Sequence, residues 1–392
     1  MTLVTAHTEH QIAFQGNKIF DVGIVGGGLA GLSLSILCAK AGHSVIVAEK
    51  EKYPFHKVCG EYISFESWDF IEELGVSLSK IDVPVIRRLI VSAPNGKYIE
   101  QTLPMGGFGV SRYKLDELLV SIARKNGVIV LENTKAENIN FEKEIFNIRC
   151  PSFTIRCKTA AGTFGKRSNI DVLWKRKFTL AKNKKLGNYV GVKYHIKANW
   201  PDDLIGLHNF KNGYCGISRI EDQKYCLCYL TSAKNLEQSG NSIVRMEKEI
   251  LSKNPHLKKI FTEAQLLFDT PVTISQISFA KKNQVEGHVL MTGDAAGMIA
   301  PLCGNGMSMA MHGSKIAYGV IHAFLEGRLS RKEMEQHYKR QWRKKFNRRL
   351  RTGRFIQRFF GNVVLSDLLI FFLKPFPGLV NKLISSTHGQ PF

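Results

Sequence analysis

The glycines of Gly26-Gly27-Gly28-Leu29-Ala30-Gly31 are spaced to hold a phosphate with backbone amides rather than side chains. Gly26 permits a tight turn, Gly28 lets the main chain approach a pyrophosphate, and Gly31 lets a helix lie close against a strand. Leu29 and Ala30 open that helix, where unpaired N–H groups and the positive dipole end favour an anion. Glu49, with Lys50 beside it, follows about 20 residues on, where a carboxylate accepts from a ribose 2′-OH. A second carboxylate, Asp294 after Gly293, ends an apolar run and suits the hydroxyls of a sugar alcohol. Gly304-Asn305-Gly306-Met307 then opens a second helix with free amides at its start. Between these turns lie a thiol, Cys59, flanked by Lys57 and Glu61, and Arg112 ahead of a helix.

Rigid elements must aim these groups. The apolar run Ile19–Val25 leads into the first glycine turn, small and aliphatic residues follow, Gly42 stops the helix, and Val45–Ala48 is the next apolar run. This is a βαβ unit. Its strand, helix and terminal acid set it apart from a glycine turn of purely structural role. Residues 85–103 read as hairpin strands around Asn95-Gly96, and Gly106 to Gly109 as a flexible link. A helix is predicted over Leu115–Ala123, strands over 128–131, 136–141 and 145–156, and a basic turn over Lys158–Ser168. Alternation from Tyr189 to Leu230 predicts a sheet with one buried face. A helix at 242–252, strands at 272–279 and 288–292, and a long helix from Met307 to Leu325 complete an α/β pattern.

At 392 residues the chain can fill two or three lobes, and 44% hydrophobic content is ordinary for a globular protein. The first eighteen residues are polar and mixed, without the apolar run of a signal peptide. Eight cysteines scatter without zinc spacing, which predicts a reducing, cytoplasmic setting and no metal; Cys226 and Cys228 read as core residues. A net charge of +22 concentrates at Lys166–Lys193 and at Arg331–Arg354, where eleven Lys or Arg face only Glu333 and Glu335. Such charge attracts anionic lipid, an acidic partner or nucleic acid, yet no nucleic-acid module accompanies it. Trp342, Phe346, Leu350 and Phe355 stand at helical spacing in the second stretch. Apolar residues at 363–365 and 368–373 follow, too short and interrupted to span a bilayer, and Pro375 and Pro377 end them. Two readings stay open for this tail: a helix lying on anionic membrane at the cytoplasmic face, or a charged helix docked on the nucleotide domain.

Taken together, the glycine turn with Glu49, the Lys57-Val-Cys-Gly-Glu61 loop, Arg112, and the stretch from Gly293-Asp294 to Met307 resemble the FAD-dependent aromatic-hydroxylase superfamily over residues 18 to 325. The geranylgeranyl-reductase-like branch is the nearest part. The resemblance implies non-covalent FAD, with Arg112 reaching the cofactor and Asp294 holding its ribityl chain. It puts the helix start at Gly304–Met307 beside the flavin pyrimidine edge, where a positive dipole end stabilises the reduced form. Cys59 is implied near the isoalloxazine, either as a substrate-side thiol or as a small packed residue. Two departures stand out. Ala161-Gly162 occupies the place of the family's mid-chain Asp-Gly, and Gly213–Arg219 keeps only Tyr214 of the reductases' Tyr-x-Trp-x-Phe-Pro. The halogenases' tryptophan-rich motif is missing as well, which argues against halogenation.

The resemblance therefore predicts a discontinuous Rossmann-like FAD domain at 18–60, 106–175 and 281–327. A β-sheet substrate lobe at 61–105 and 176–280 is inserted in it, and a basic, partly apolar helical tail covers 328–392. The expected activity is that of an NAD(P)H-dependent monooxygenase acting on a lipophilic aromatic or polyketide-type compound. The alternative is reduction of C=C bonds in a polyprenyl or lipid substrate, with Cys59 and Tyr214 as the substrate-side residues. A hydrophobic small molecule and an anionic membrane surface are the expected partners, and specific nucleic acid is not.

Overall fold

The structure, a computed structural model, describes residues 18–180 and 188–392. The first seventeen residues and the Lys182–Lys185 part of the basic run lie outside them. Strand β1 (Ile19–Val25), helix α1 (Leu29–Lys40) and strand β2 (Val45–Ala48) form the expected unit, with β1 and β2 parallel. Helix α1 is buried from Leu29 to Cys38, as a helix apolar on all sides must be.

The chain then crosses to a second sheet through β3 (Tyr62–Ser64), β4 (Val85–Ser92) and β5 (Tyr98–Gly109), and returns through α2 (Arg112–Lys125), capped by Ser111. Strands β6 (Ile129–Leu131), β7 (Asn138–Glu142), β8 (Ile145–Arg149) and β9 (Thr154–Gly162) rejoin the first sheet. The second sheet resumes with β10 (Tyr189–Lys197), β11 (Leu204–Phe210), β12 (Gly213–Arg219), β13 (Tyr225–Ser232), β14 (Gln265–Leu266) and β15 (Val272–Ile277). Strands β16 (Val285–Glu286) and β17 (Val289–Met291) close the first, followed by α3 (Gly306–Leu325), α4 (Arg331–Gln357), α5 (Val363–Leu373) and α6 (Pro377–Thr387).

The first sheet runs β16-β17-β9-β1-β2-β6, with the β7–β8 hairpin added along β9. The second runs β14-β10-β13-β12-β11-β4-β5-β3, with β15 on β10. Its pairs are antiparallel except β11 with β4, which run parallel through Leu204–Arg88 to His208–Ser92.

Three local expectations are corrected. Gly106 to Gly109 is the end of β5 rather than a link, because a Cβ at Gly107 or Gly109 would collide with the Ile63 or Arg219 carbonyl. Close packing, not flexibility, demands glycine there. Lys158–Gly162 is strand, and only the residues after it turn. The strand predicted over 145–156 is broken into β8 and β9 between Cys150 and Phe153, where Pro151 has no N–H to give to a ladder.

The basic helix α4 is docked. Met334, Tyr338, Trp342, Phe346 and Leu350 are buried along one stripe, and the Tyr338 hydroxyl donates to the Met291 carbonyl at 2.5 Å. Of the aromatic set expected to meet lipid, Phe355 alone is exposed.

Candidate active site

The two glycine turns, more than 260 residues apart, meet. A Cβ on Gly293 (φ +60°) would touch the Ala30 Cβ at 3.1 Å, so the turn after β17 rests on the start of α1. From α3, the Ser314 hydroxyl donates to the Ala30 carbonyl at 2.7 Å. Gly293, Asp294, Gly306 and Met309 line one narrow cleft with Trp342. Among the described residues no side chain caps α1 at Gly28 or α3 at Asn305, whereas Ser111, Ser168, Ser242, Asn254, Ser330 and Asn362 each cap theirs. The first amides of both helices are thus free for an outside acceptor. Asn305 donates through its amide to the Thr387 carbonyl at 2.9 Å, while its buried Oδ1 has no partner among the described residues.

Gly31 must be glycine, since a Cβ there would overlap the Gly26 carbonyl. The Gly27 N–H donates to Glu49 Oε2 at 2.6 Å and the Glu51 N–H to Oε1 at 3.1 Å, so the buried Glu49 also braces the turn. Tyr53 donates to the Gly27 carbonyl. Lys50 is exposed and pairs with Glu51 instead of reaching the turn. Gly162 pairs with Val25, and the Thr163 hydroxyl donates to the Val25 carbonyl at 2.9 Å. The position of the missing Asp-Gly carboxylate therefore borders the phosphate turn, and a hydroxyl braces that turn.

Two cations stand over the turn. A Cβ on Gly28 would lie 3.5 Å from Arg112 Nη2 and 3.8 Å from Lys57 Nζ. Arg112 forks onto Asp116 through Nε (2.9 Å) and Nη2 (2.8 Å), and Lys57 reaches Oδ2 of the same carboxylate at 2.9 Å. Burial opposes the Asp116 charge, but the two cations win and hold its carboxyl below the usual range. Two positive charges against one negative leave a net cation aimed at the glycine turn, suited to a diphosphate.

The Cys59 loop is tied to both sheets by Glu61, which is fully buried in a left-handed conformation (φ 57°). Its Oε1 accepts from the Arg112 backbone at 2.8 Å and from Lys193 Nζ at 2.5 Å, and Oε2 lies 2.6 Å from His195 Nε2. Burial disfavours the carboxylate, yet the Lys193 ammonium and His195 hold its pKa down to about 2. Lys193, the last residue of the basic Lys166–Lys193 stretch, is fully buried. His56 meets His195 edge-on at 5.1 Å, and burial with the nearby Lys193 pushes its pKa down to about 4. Cys226 is buried as expected but belongs to this cluster, its thiol donating to the Cys59 carbonyl at 3.2 Å. Candidate ligand atoms of Glu61, His195 and Cys226 lie within 4.8 Å of one another, with the Lys193 ammonium already against the carboxylate.

Cys59 is half-buried rather than packed away. Tyr214 is buried in the same seam, edge-on to Phe360 at 5.6 Å, and Cys228 lies within electrostatic reach of both Tyr214 and Cys59. Burial pushes the Tyr214 hydroxyl well up, so it stays protonated. Asp116, Lys193, His195 and His56 were missed by sequence reasoning. The Arg112–Asp116 spacing of one helical turn was readable. So was the shared face of Lys193 and His195 on a strand.

The model of the FAD binding domain matches residues 20–349. The chain belongs to this family of FAD-dependent oxidoreductases. It is 24% identical to conditioned medium factor receptor 1 of Dictyostelium discoideum, covering 86% of this chain and 69% of that one. It is 25% identical to digeranylgeranylglycerophospholipid reductase of Methanococcus vannielii, covering 83% of each. The fold is similar to that of a geranylgeranyl bacteriochlorophyll reductase-like protein from Thermoplasma acidophilum, with a TM-score of 0.76 at 18% identity over 96% of this chain and 97% of that one. The cradle, the uncapped helix starts and the cationic clamp fit FAD: Arg112 and Lys57 would hold its diphosphate and Asp294 its sugar alcohol.

Proposed function

We propose that this oxidoreductase reduces C=C bonds in a lipophilic, isoprenoid-type chain. One observation carries the reading. Glu61 pins the Lys57–Glu61 loop to α2 and β10 together, which holds the half-buried Cys59 in the seam between the nucleotide sheet and the substrate sheet. The relatedness to the archaeal lipid reductase over most of both chains supports the same reading. Bound FAD would supply hydride transfer, with NAD(P)H as the reductant. The chain's own groups bind and orient. Arg112 and Lys57 fix the cofactor's phosphates, Glu61 with Lys193 fixes the charge behind Cys59, and Tyr214 with Phe360 walls off water.

Hydroxylation of an aromatic compound is the second reading, favoured by Gly216 standing where the reductases' tryptophan would be. Turnover of geranylgeranyl lipids by dithionite-reduced holoenzyme separates the two. Saturated product formed without O2 supports reduction. Strict dependence on O2, with labelled oxygen in the product, would transfer the assignment to hydroxylation.

A further inference from the structure

Helix α5 is apolar on its outward face as well as its inward one, unlike a helix that meets water. Ser366, Ile370 and Leu373 face inward, where Ile370 packs with Val91 and Ala93. The opposite stripe is Val364, Leu368, Phe371 and Phe372, and Phe371 is 71% exposed, Val364 66% and Phe372 62%. Phe376 and Leu379, also exposed, extend the patch across the bend of 118° into α6. A contiguous exposed patch of this kind marks an interaction surface.

The charge around it selects the partner. From Gln336 to Phe392 the chain carries twelve Lys or Arg against a single acid, Asp367. Arg351, Arg358, Lys374 and Lys382 are exposed on the segments flanking the patch. Apolar knuckles rimmed by cations match an anionic bilayer, with acyl chains under head-group phosphates. A second copy of this basic chain would bring like charges together. No single helix among the described residues is long and apolar enough to cross a membrane, and the bend suits helices lying in the interface.

We propose that α5 and the start of α6 dock this enzyme on anionic membrane, with Val364, Leu368, Phe371 and Phe372 entering the interface. The surface adjoins the site. Phe360, just before α5, lies against Tyr214, and the Gly361 corner is tied to the β11–β12 turn by Asn212 N–H donating to its carbonyl at 2.7 Å. A lipid leaving the bilayer at this edge would arrive at Tyr214. That last step rests on the proposed function; docking itself does not.

The test is sedimentation of flavin-loaded full chain with phosphatidylcholine vesicles, with and without phosphatidylglycerol, at low and high salt. Pelleting with the anionic vesicles, weakened by salt, is expected. Phe371→Ser/Phe372→Ser should lower partitioning by at least about tenfold while retaining flavin. Lys374→Glu/Lys382→Glu should remove the preference for phosphatidylglycerol. Should either pair lose flavin, Leu368→Ser and Val364→Ser read the same surface. Absent pelleting of wild type, or equal pelleting of wild type and apolar variants, overturns the proposal. So does a lipid-free dimer that the Phe variants convert to monomer without any vesicle binding. Loss of C=C reduction with docking intact would instead count against the proposed function alone.

Discussion

Replacing Lys193 by Met is the sharpest test of the buried ion cluster. The side chains are similar in volume, so packing is nearly conserved and the change removes charge. Lys193 Nζ sits 2.5 Å from Glu61 Oε1, and both side chains are fully buried. At an effective dielectric of about 20 the gross attraction at that distance is about 7 kcal/mol, part of which offsets desolvation of the two ions. Stranding the buried carboxylate should therefore cost about 3–5 kcal/mol, a large share of the stability of an ordinary domain. The cost must depend on pH. In wild type the Glu61 pKa is held at about 2, below its unfolded value of 4.5, so its contribution is present above 4.5 and is lost as pH falls towards 2. Without Lys193 the folded pKa rises above the unfolded value, and lowering the pH from 8 towards 5 should relieve the defect. Lys193→Met/Glu61→Gln, which removes both charges, should recover about half of the lost stability or more. Urea unfolding of wild type and the two variants at pH 8 and pH 5.5 measures each term. A loss below about 1 kcal/mol for Lys193→Met, or no recovery in the double variant, would refute the reasoning.

Gly31→Ala should abolish flavin colour, because the added methyl overlaps the Gly26 carbonyl, while Gly319→Ala, with open space at its Cβ inside α3, should stabilise the chain by about 0.5–1 kcal/mol; absorbance and thermal unfolding check both. Arg112→Met should weaken FAD binding by about tenfold or more, and Arg112→Lys should not restore it, because the fork onto Asp116 is lost; flavin fluorescence titration reads this. Burial, aided by nearby His256, pushes the His208 pKa down to about 3 from 6.5, so its contribution is present above pH 6.5 and drains away as pH falls towards 3. Near pH 5 it should cost about 2 kcal/mol, and His208→Asn should flatten that part of the stability–pH curve. An unchanged curve assigns the acid sensitivity elsewhere.

The parts of the site that were legible in the sequence are those made by neighbours in the chain. Gly26 to Gly31 with Glu49, and Gly304 to Met307, announce their role because each turn is built from consecutive residues between periodic runs. What was hidden depends on tertiary contact. Glu61 meets Lys193 and His195 across more than 130 residues, and the strand pattern that puts Lys193 and His195 on one face does not tell a buried lysine from one left in water. Burial inverted its meaning from surface charge to structural ion. The aromatic residues of α4 show the same ambiguity. A stripe of Trp342, Phe346 and Leu350 in a basic helix fits a membrane or a protein core equally well, and only the presence of α3 beneath it decides. Gly106 to Gly109 misled in the opposite direction, as glycine for close approach reads like glycine for flexibility.

The parallel pairing of β4 with β11 has a further consequence for how the molecule comes into being. The partners are more than a hundred positions apart, and four strands of the other sheet are synthesised in the interval. Closing so long an interval carries an entropic penalty that only late, cooperative contacts can offset. Neither lobe is thus a separable fragment. Cutting the chain between β9 and β10 would divide both sheets and leave β4, β11, β9 and β17 as unpaired edges, so the unit on which stability acts is the whole molecule.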